Sequence, residues 1–388
     1  MPDTTKGVWK LQEVRDQVLQ NCWAYSTAGD FAGALFTAGR NSSGELGTNS
    51  GTLRSSPVQI EGTWIDISVG SNNSFNNTHM AGIKENNTLW AWGANCFGGL
   101  GQNNLVDSSS PVQIPGSTWC RVASGKNNIM AVKTDGTLWG WGENTSGQLG
   151  LNSRTCHSSP VQIPGTTWCN LVQGSFSVMA SKTDGTLWSI GSNTVGQLGI
   201  NNSIDASSPT QIPGTSWCKV DSGVGVTHAV KTDNTMWAWG YGAAGRGGWN
   251  STVDYSSPIQ IPGTWCNVGR LYNGGAAIKT NGTLWSWGYN NQNGLGSPSG
   301  SGIPSVSSPI QIPGTTWCYI RGANSVAGGG PATFAKKTDG TLWTWNAGYY
   351  GIGLDGQYRG YVGSPIQVPG RWLCAQNNHE ASAGLKCL

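Results

Sequence analysis

Short runs that alternate apolar and polar residues, separated by turn residues, recur along the chain. In the most regular copy the runs are TWCRVAS, IMAVKT, TLWGWG and PVQI, with the length and composition of half-buried β-strands. Thr134-Asp135-Gly136-Thr137 separates the second run from the third, and an Asp-Gly pair supplies the positive φ that a tight hairpin needs. Ile114-Pro115-Gly116 follows a fourth run as a Pro-Gly turn. Four antiparallel strands in each unit of about fifty residues predict a propeller blade.

The unit recurs seven times, its proline falling at Pro57, Pro111, Pro160, Pro209, Pro258, Pro309 and Pro365. Self-similarity at a fixed period outranks other sequence signals. The last unit ends at Ala383-Gly384-Leu385-Lys386 without a third strand, and residues 34–47 have the register of that missing strand. The expected fold is an all-β, seven-bladed β-propeller, closed by N- and C-terminal strands that share one blade and so leave no open sheet edge. The propeller spans residues 30–388 on this reading. Residues 1–29 form a docking or lid segment with a short helix over 9–20, whose apolar face carries Leu11, Val14, Val18 and Leu19.

The tryptophans follow the repeat. Of 21, all but Trp9, Trp23 and Trp249 fall in three registers, as packing residues should, and the exceptions are candidates for other duties. A buried ring removes roughly 150–250 Å² from water.

Charged residues make up 11% of the chain, and Lys plus Arg exceed Asp plus Glu by three. No block of like charge offers a nucleic-acid grip, and no apolar run is long enough to span a membrane. The start lacks the pattern of a secretory signal. Of the ten cysteines, Cys120, Cys169, Cys218, Cys266 and Cys318 follow the register tryptophan, with Ile65 and Leu373 in the equivalent places, and read as small buried hydrophobes. No Cys/His spacing supports a metal site, and no cofactor is expected. The repeat lysines Lys84, Lys133, Lys182, Lys231, Lys279, Lys337 and Lys386 read as a solvated ring, part-neutralised by neighbouring aspartates.

Residues 240–245 match GxGxxG, but no helix is expected to follow, and the segment is one blade's version of the GQLG loop. The chain has no HExxH, GxSxG or P-loop, and its four histidines fall in different registers. No enzyme activity is expected.

With TDGTLW before it, WGENTSGQLG at residues 141–150 resembles the regulator of chromosome condensation family of seven-bladed propellers over about residues 30–388. The resemblance implies the fold. It is less specific for function, since the family includes a nuclear guanine-nucleotide exchange factor that docks on nucleosomes as well as repeat proteins that scaffold partners. The family's usual histidine survives here only as His79, with Asn128, Ser177, Val226, Gly274 and Ala332 in its place, and a basic tail is absent. Exchange activity is therefore not expected. Residues 7–16, GVWKLQEVRD, resemble the start of virion proteins of marine and cyanobacterial tailed phages, and near-identical runs such as SSPVQIPG suggest recent duplication.

Three insertions, at 71–80, 291–306 and 322–334, fall on the propeller face that carries the first-to-second and third-to-fourth loops. Function concentrates on such loops. The candidate contacts are Phe75, His79, Trp249, Tyr289 and Phe334 on that face, with Trp9, Leu11 and Val14 on the docking segment. The expectation is a non-enzymatic structural protein. In the leading form it is a virion component, made in the host cytoplasm, whose partners are other virion proteins and a host receptor or glycan, with homo-oligomers on the particle. The alternatives are a cellular scaffold and a glycan-binding lectin.

Overall fold

In a computed structural model, the described residues are 32–70, 78–271, 274–290, 294–296, 304–322, 333–345, 363–377 and 381–387. The helix expected over 9–20, Trp9, Leu11, Val14, Phe75 and most of the three insertions lie outside them.

Seven four-stranded antiparallel blades are present. Blade 2 runs Trp119–Ser124, Asn128–Lys133, Leu138–Gly142 and His157–Ile163 in sequence order from the axis outward, and blades 3, 4 and 5 repeat that order as separate sheets. The long strand Ile366–Asn377 is the outer strand of blade 6, after Trp317–Arg321, Thr333–Lys337 and Thr341–Trp345, and the inner strand of blade 7; Arg54–Val69 is the outer strand of blade 7 and the inner strand of blade 1, before His79–Lys84, Leu89–Gly93 and Ser108–Gln113. Between them, Ala381–Cys387 pairs with Gly33–Gly39 from Gly33↔Cys387 to Gly39↔Ala381. One blade is thus stitched from both ends of the chain, as the sequence predicts.

Neighbouring blades share their apolar cores. In one cluster Ile83, Leu89 and Ile114 of blade 1 pack with Trp119, Ile129 and Trp141 of blade 2. Trp119 meets Trp139 and Trp141 edge-on at 6.2 and 6.1 Å. The second tryptophan of the third strand reaches across the blade boundary: Trp141 Nε1 donates to Gly99 O at 2.8 Å and Trp239 Nε1 to Gln197 O at 2.9 Å.

The TDGTLW motif is a hydrogen-bond relay. Asp184 Oδ1 accepts from the Thr186 amide (2.9 Å) and hydroxyl (2.7 Å), and that hydroxyl accepts from Trp188 Nε1 at 2.9 Å. The relay locks the hairpin around Gly185, at φ 78°. The Thr186 hydroxyl and amide, in that order, hold the Asp184 carboxyl below its ordinary range.

Two sequence readings are corrected. The repeat lysines do not form a solvated ring. Each is half-buried over the two tryptophans that flank it, as with Lys182 Nζ at 4.7 Å from the Trp168 ring and 4.5 Å from Trp188. Seven blades repeat this clamp, with Phe36 standing for one ring in blade 7. The cause is alternation: the strand ends at the apolar edge of the hairpin, and the stem and ammonium cover two indoles better than water does.

Nor are the register cysteines buried. Cys120, Cys218, Cys266 and Cys318 are half-buried and Cys169 is exposed. Each is the extra residue of a β-bulge, because Trp119 pairs with Lys133 while Arg121 pairs with Val132. The thiol turns back onto the neighbouring strand, Cys120 Sγ donating to Val132 O at 3.4 Å.

Candidate functional site

In blades 1, 2 and 3 a buried asparagine ties down the third-to-fourth loop. In blade 2, Asn144 Nδ2 donates to Ser153 O and Thr155 O while Oδ1 accepts the Leu149 amide at 2.8 Å. Asn95 and Asn193 do the same in blades 1 and 3. A second asparagine takes positive φ, as Asn152 does at 52°, and its amide donates to Ser207 O of the next blade at 2.7 Å. Each loop thereby grips the adjacent blade.

On this fixed frame the loops expose aliphatic side chains. Val106, Ile204 and Val253 occupy one loop position, each five residues before the repeat proline, and are 71%, 72% and 57% exposed. Leu105 and Leu53 stand beside this register and are also exposed. Recurrent exposed aliphatics on rigid loops form a surface suited to a protein partner.

The candidate contacts fare differently. Tyr289, at the end of a third strand, is exposed. His79 (1% exposed) and Phe334 (0%) are interior residues, so neither presents a surface to a partner. His79 pairs with Gly93, as Asn128 does with Gly142, and its ring packs against Gly70. Burial lowers its pKa to about 4, against the raising effect of the hydrogen bond that the ring donates to the Asn128 backbone. Trp249 is half-buried and packs edge-on to Tyr255 at 5.2 Å. Its ring fills the space that Leu149 and Leu198 fill in other blades, because blade 4 has Gly247 there; a Cβ on Gly247 would meet that ring. Trp249 is thus a core residue displaced by two positions, and its irregular register marks compensation rather than binding.

The GxGxxG segment forms only a three-residue 3₁₀ turn, Ala243–Gly245, as part of the loop. Among the described residues no cluster of His, Cys, Asp or Glu could hold a metal, and no helix is long and apolar enough to cross a membrane.

The sequence reading missed the channel at the axis. The second residue after the register tryptophan, just past the bulge, is Asp66, Arg121, Asn170, Lys219, Asn267, Tyr319 or Cys374 in turn, and all seven line a cavity of about 220 Å³. Asp66 staples blades 1 and 2, its Oδ1 accepting the Ile67 amide at 3.0 Å and its Oδ2 the Val122 amide at 3.2 Å. Burial raises the Asp66 pKa, opposed by Arg121, Arg321 and these amides. Asp221 accepts the Ser222 and Arg270 amides and lies 3.6 Å from the Arg270 guanidinium, which donates onward to Gln173 O and Ser222 O. The signal was present in the sequence: these are the variable positions in otherwise near-identical inner strands.

The regulator of chromosome condensation (RCC1) repeat matches residues 32–75, 86–132, 135–176 and 184–230, and a second form of it matches 119–148. Protein RCC2 homolog of Danio rerio is 32% identical over 107 residues, which is 27% of this chain and 21% of that protein, so the match spans about a fifth of the relative's length. Human WBSCR16 superposes with a TM-score of 0.78 over 92% of this chain and 100% of its own, at 18% identity. Prp20p from Saccharomyces cerevisiae, whose binding to Gsp1p and histones has been described, superposes with a TM-score of 0.78 over 93% of each chain, also at 18% identity. At such identities the likeness concerns the fold alone. Residues 32–230 thus match regulator of chromosome condensation repeats, and the chain as a whole has the propeller fold of WBSCR16 and Prp20p.

Proposed function

We propose that the chain is a non-enzymatic interaction scaffold that binds a protein partner through its third-to-fourth loop face. The observation that carries this reading is the recurrence of Val106, Ile204 and Val253 at one exposed position, the first two on loops locked by buried asparagines and the third on a loop tied by the Gly242 amide to Asp254. A rigid frame lowers the ordering cost of association, and exposed aliphatics supply the apolar area. Prp20p, the yeast propeller of the same fold, binds the proteins Gsp1p and histones.

In its finer form the proposal places the chain on a phage particle, docked through residues 1–29. Residues 7–16 and the near-identity of the repeats support that setting. The partial match to the Danio rerio protein favours a cellular scaffold as the second reading.

Particles from the source culture, sedimented through a density gradient, provide the test. Co-migration of this chain at fixed stoichiometry with a major capsid protein supports the virion form, and absence from every particle fraction overturns it. Ile204→Asp with Val253→Asp is expected to abolish capture of the co-purifying partner while leaving thermal unfolding unchanged. Undiminished capture would remove the loop face from the interaction.

A further inference from the structure

A buried indole N–H ordinarily finds an acceptor, because an unpaired donor away from water is costly. In blades 5 and 7 the register tryptophan finds one in the turn before it. Trp265 Nε1 donates to Pro262 O at 3.2 Å, and Trp372 Nε1 donates to Pro369 O at 2.9 Å. Blades 2, 3, 4 and 6 have one residue more in that turn, as in IPGTTW at 163–168 against IPGTW at 261–265. The residue before the tryptophan, Thr118, Thr167, Ser216 or Thr316, takes a φ of 67°, 67°, 66° or 69°. Among the described residues no atom accepts from Nε1 of Trp119, Trp168, Trp217 or Trp317, although each ring is at most 5% exposed. The longer turn leaves the proline carbonyl out of reach. Trp64 of blade 1, behind a short turn with Glu61 in place of the proline, is unpartnered as well.

In blade 3 this donor meets a groove of about 380 Å³ between blades 2 and 3. Leu151, Pro164, Pro209 and Trp188 give the groove apolar walls, and Lys182 lines it together with Trp168. The Lys182 ammonium is held over the Trp168 and Trp188 rings at 4.7 and 4.5 Å, beside the indole N–H. A ring face engages the charge of an ammonium and leaves N–H groups for an acceptor alongside. Gly165 keeps the approach open, since a Cβ there would lie 3.2 Å from Trp168 Nε1. At the same place in blade 2, a Cβ on Gly116 would lie 3.7 Å from Trp119 Nε1 and 3.5 Å from Lys133 Nζ. In blade 6, a Cβ on Gly314 would lie 3.3 Å from Trp317 Nε1 and 3.7 Å from Lys337 Nζ. One position beside the glycine thus faces both donors. The neighbouring Asp184 carboxylate is engaged by Thr186.

We propose that the groove between blades 2 and 3 binds a carboxylate carried on an apolar skeleton, one oxygen accepting from Trp168 Nε1 and the other from Lys182 Nζ. A carboxylate matches this pair in charge and in its two oxygens, whereas a phosphate would press further charged oxygens against apolar walls. The carbon body lies along Leu151, Pro164, Pro209 and Trp188. A free aliphatic acid and the C-terminal residue of a peptide share this chemistry. The donors lie at the hairpin end of the blade, where Trp168 pairs with Lys182, so the site is separate from the loop aliphatics proposed to hold a protein partner.

The full chain, isotopically labelled, is titrated with sodium hexanoate and separately with acetyl-Ala-Leu bearing a free carboxyl terminus, and its indole N–H resonances are followed by NMR. The Trp168 resonance, assigned by its loss in Trp168→Phe, is expected to shift downfield and saturate. Those of Trp265 and Trp372, whose N–H groups already have acceptors, should stay in place. The ligand that saturates at the lower concentration identifies a free acid or a chain terminus as the source. Hexanamide and the amidated peptide should bind at least about tenfold more weakly. Lys182→Met, which keeps an apolar stem over the rings and removes the charge, should weaken both carboxylates by a similar factor. Deleting Thr167 gives blade 3 the turn of blade 5 and brings Pro164 O to the indole N–H, so the resonance should start downfield and no longer respond. The proposal is overturned if neither carboxylate gives a saturable shift of Trp168 at tens of millimolar, if the neutral amides match them, or if the response survives deletion of Thr167.

Discussion

At the scale of single residues, departures from the repeat are informative because six other copies show what each position ordinarily holds. His228 stands where blades 2 and 3 have Met130 and Met179, and it is fully buried against Trp287, with ring centroids 5.2 Å apart. Burial lowers its pKa to about 4, against the raising influence of Asp221 and of the Gly247 and Arg246 backbone. The unfolded chain takes up the proton near pH 6.5 and the folded chain only near 4. Stability due to a neutral His228 is therefore complete above pH 6.5 and is lost as pH falls toward 4, by about 3 kcal/mol over that window. Asp66, whose pKa is raised, acts in the opposite sense, its contribution falling as pH rises through the carboxylate range. The urea midpoint of wild type should thus drop between pH 6.5 and 4.5, and that of His228→Met should drop less. Equal slopes would show that His228 does not titrate with unfolding. Gly247 and Trp249 make a second pair. Gly247→Leu alone forces out the Trp249 ring and should cost about 1–3 kcal/mol, and Trp249→Leu alone should cost a similar amount by leaving a void. The double variant restores the pattern of Leu149 and Leu151 and should lie near wild type. A double-mutant cycle in urea measures the coupling, and additive losses would contradict the compensation.

At the scale of elements, each blade is a hairpin lock combined with an aromatic clamp. The Asp–Thr–Trp relay fixes the turn between the second and third strands, and the lysine at the end of the second strand then lies over two rings. A half-buried cation over two indoles is worth roughly 1 kcal/mol, against less than about 0.5 kcal/mol for a surface lysine. The triple variant Lys133→Met, Lys182→Met, Lys231→Met should therefore lose about 3 kcal/mol in urea unfolding, and a loss below about 1 kcal/mol would restore the solvated reading. The strands, turns and closing blade could be read from the sequence because repetition averages out local noise. The clamp could not, since the spacing that puts Lys182 near Trp168 and Trp188 depends on pairing across three strands. The bulge that sets the Cys120 thiol against the neighbouring strand is likewise invisible to a period-of-two pattern, because one extra residue shifts the register without changing the residues. The channel was missed for the converse reason. Asp66, Arg121 and Lys219 vary from blade to blade, so a consensus discards them, and it is this variation that gives the axis its charge.

At the scale of the molecule, closure decides whether seven blades behave as one body. Gly33–Gly39 pairs with Ala381–Cys387 on one side and with residues 54–64 on the other, so a single seven-residue strand joins the first and last parts of the chain. Gly33 has no room for a side chain, since a Cβ there would lie 2.5 Å from Lys386 O. Deleting residues 1–39 takes this strand away and leaves two unpaired strand edges facing each other within the ring. Such edges recruit other chains, so the shortened protein should lose its single thermal transition and sediment as aggregates, while a chain lacking only residues 1–29 keeps every described strand and should stay monomeric. A synthetic peptide of residues 30–47 carries the missing strand with its loop. Added in trans, it should restore one cooperative transition and the monomer, because the gap offers hydrogen-bonding partners on both sides where an ordinary sheet edge offers one. A deletion chain that is monomeric and cooperative without peptide would show that the interblade tryptophan contacts alone hold the ring, and that the strand shared by the two ends of the chain is dispensable.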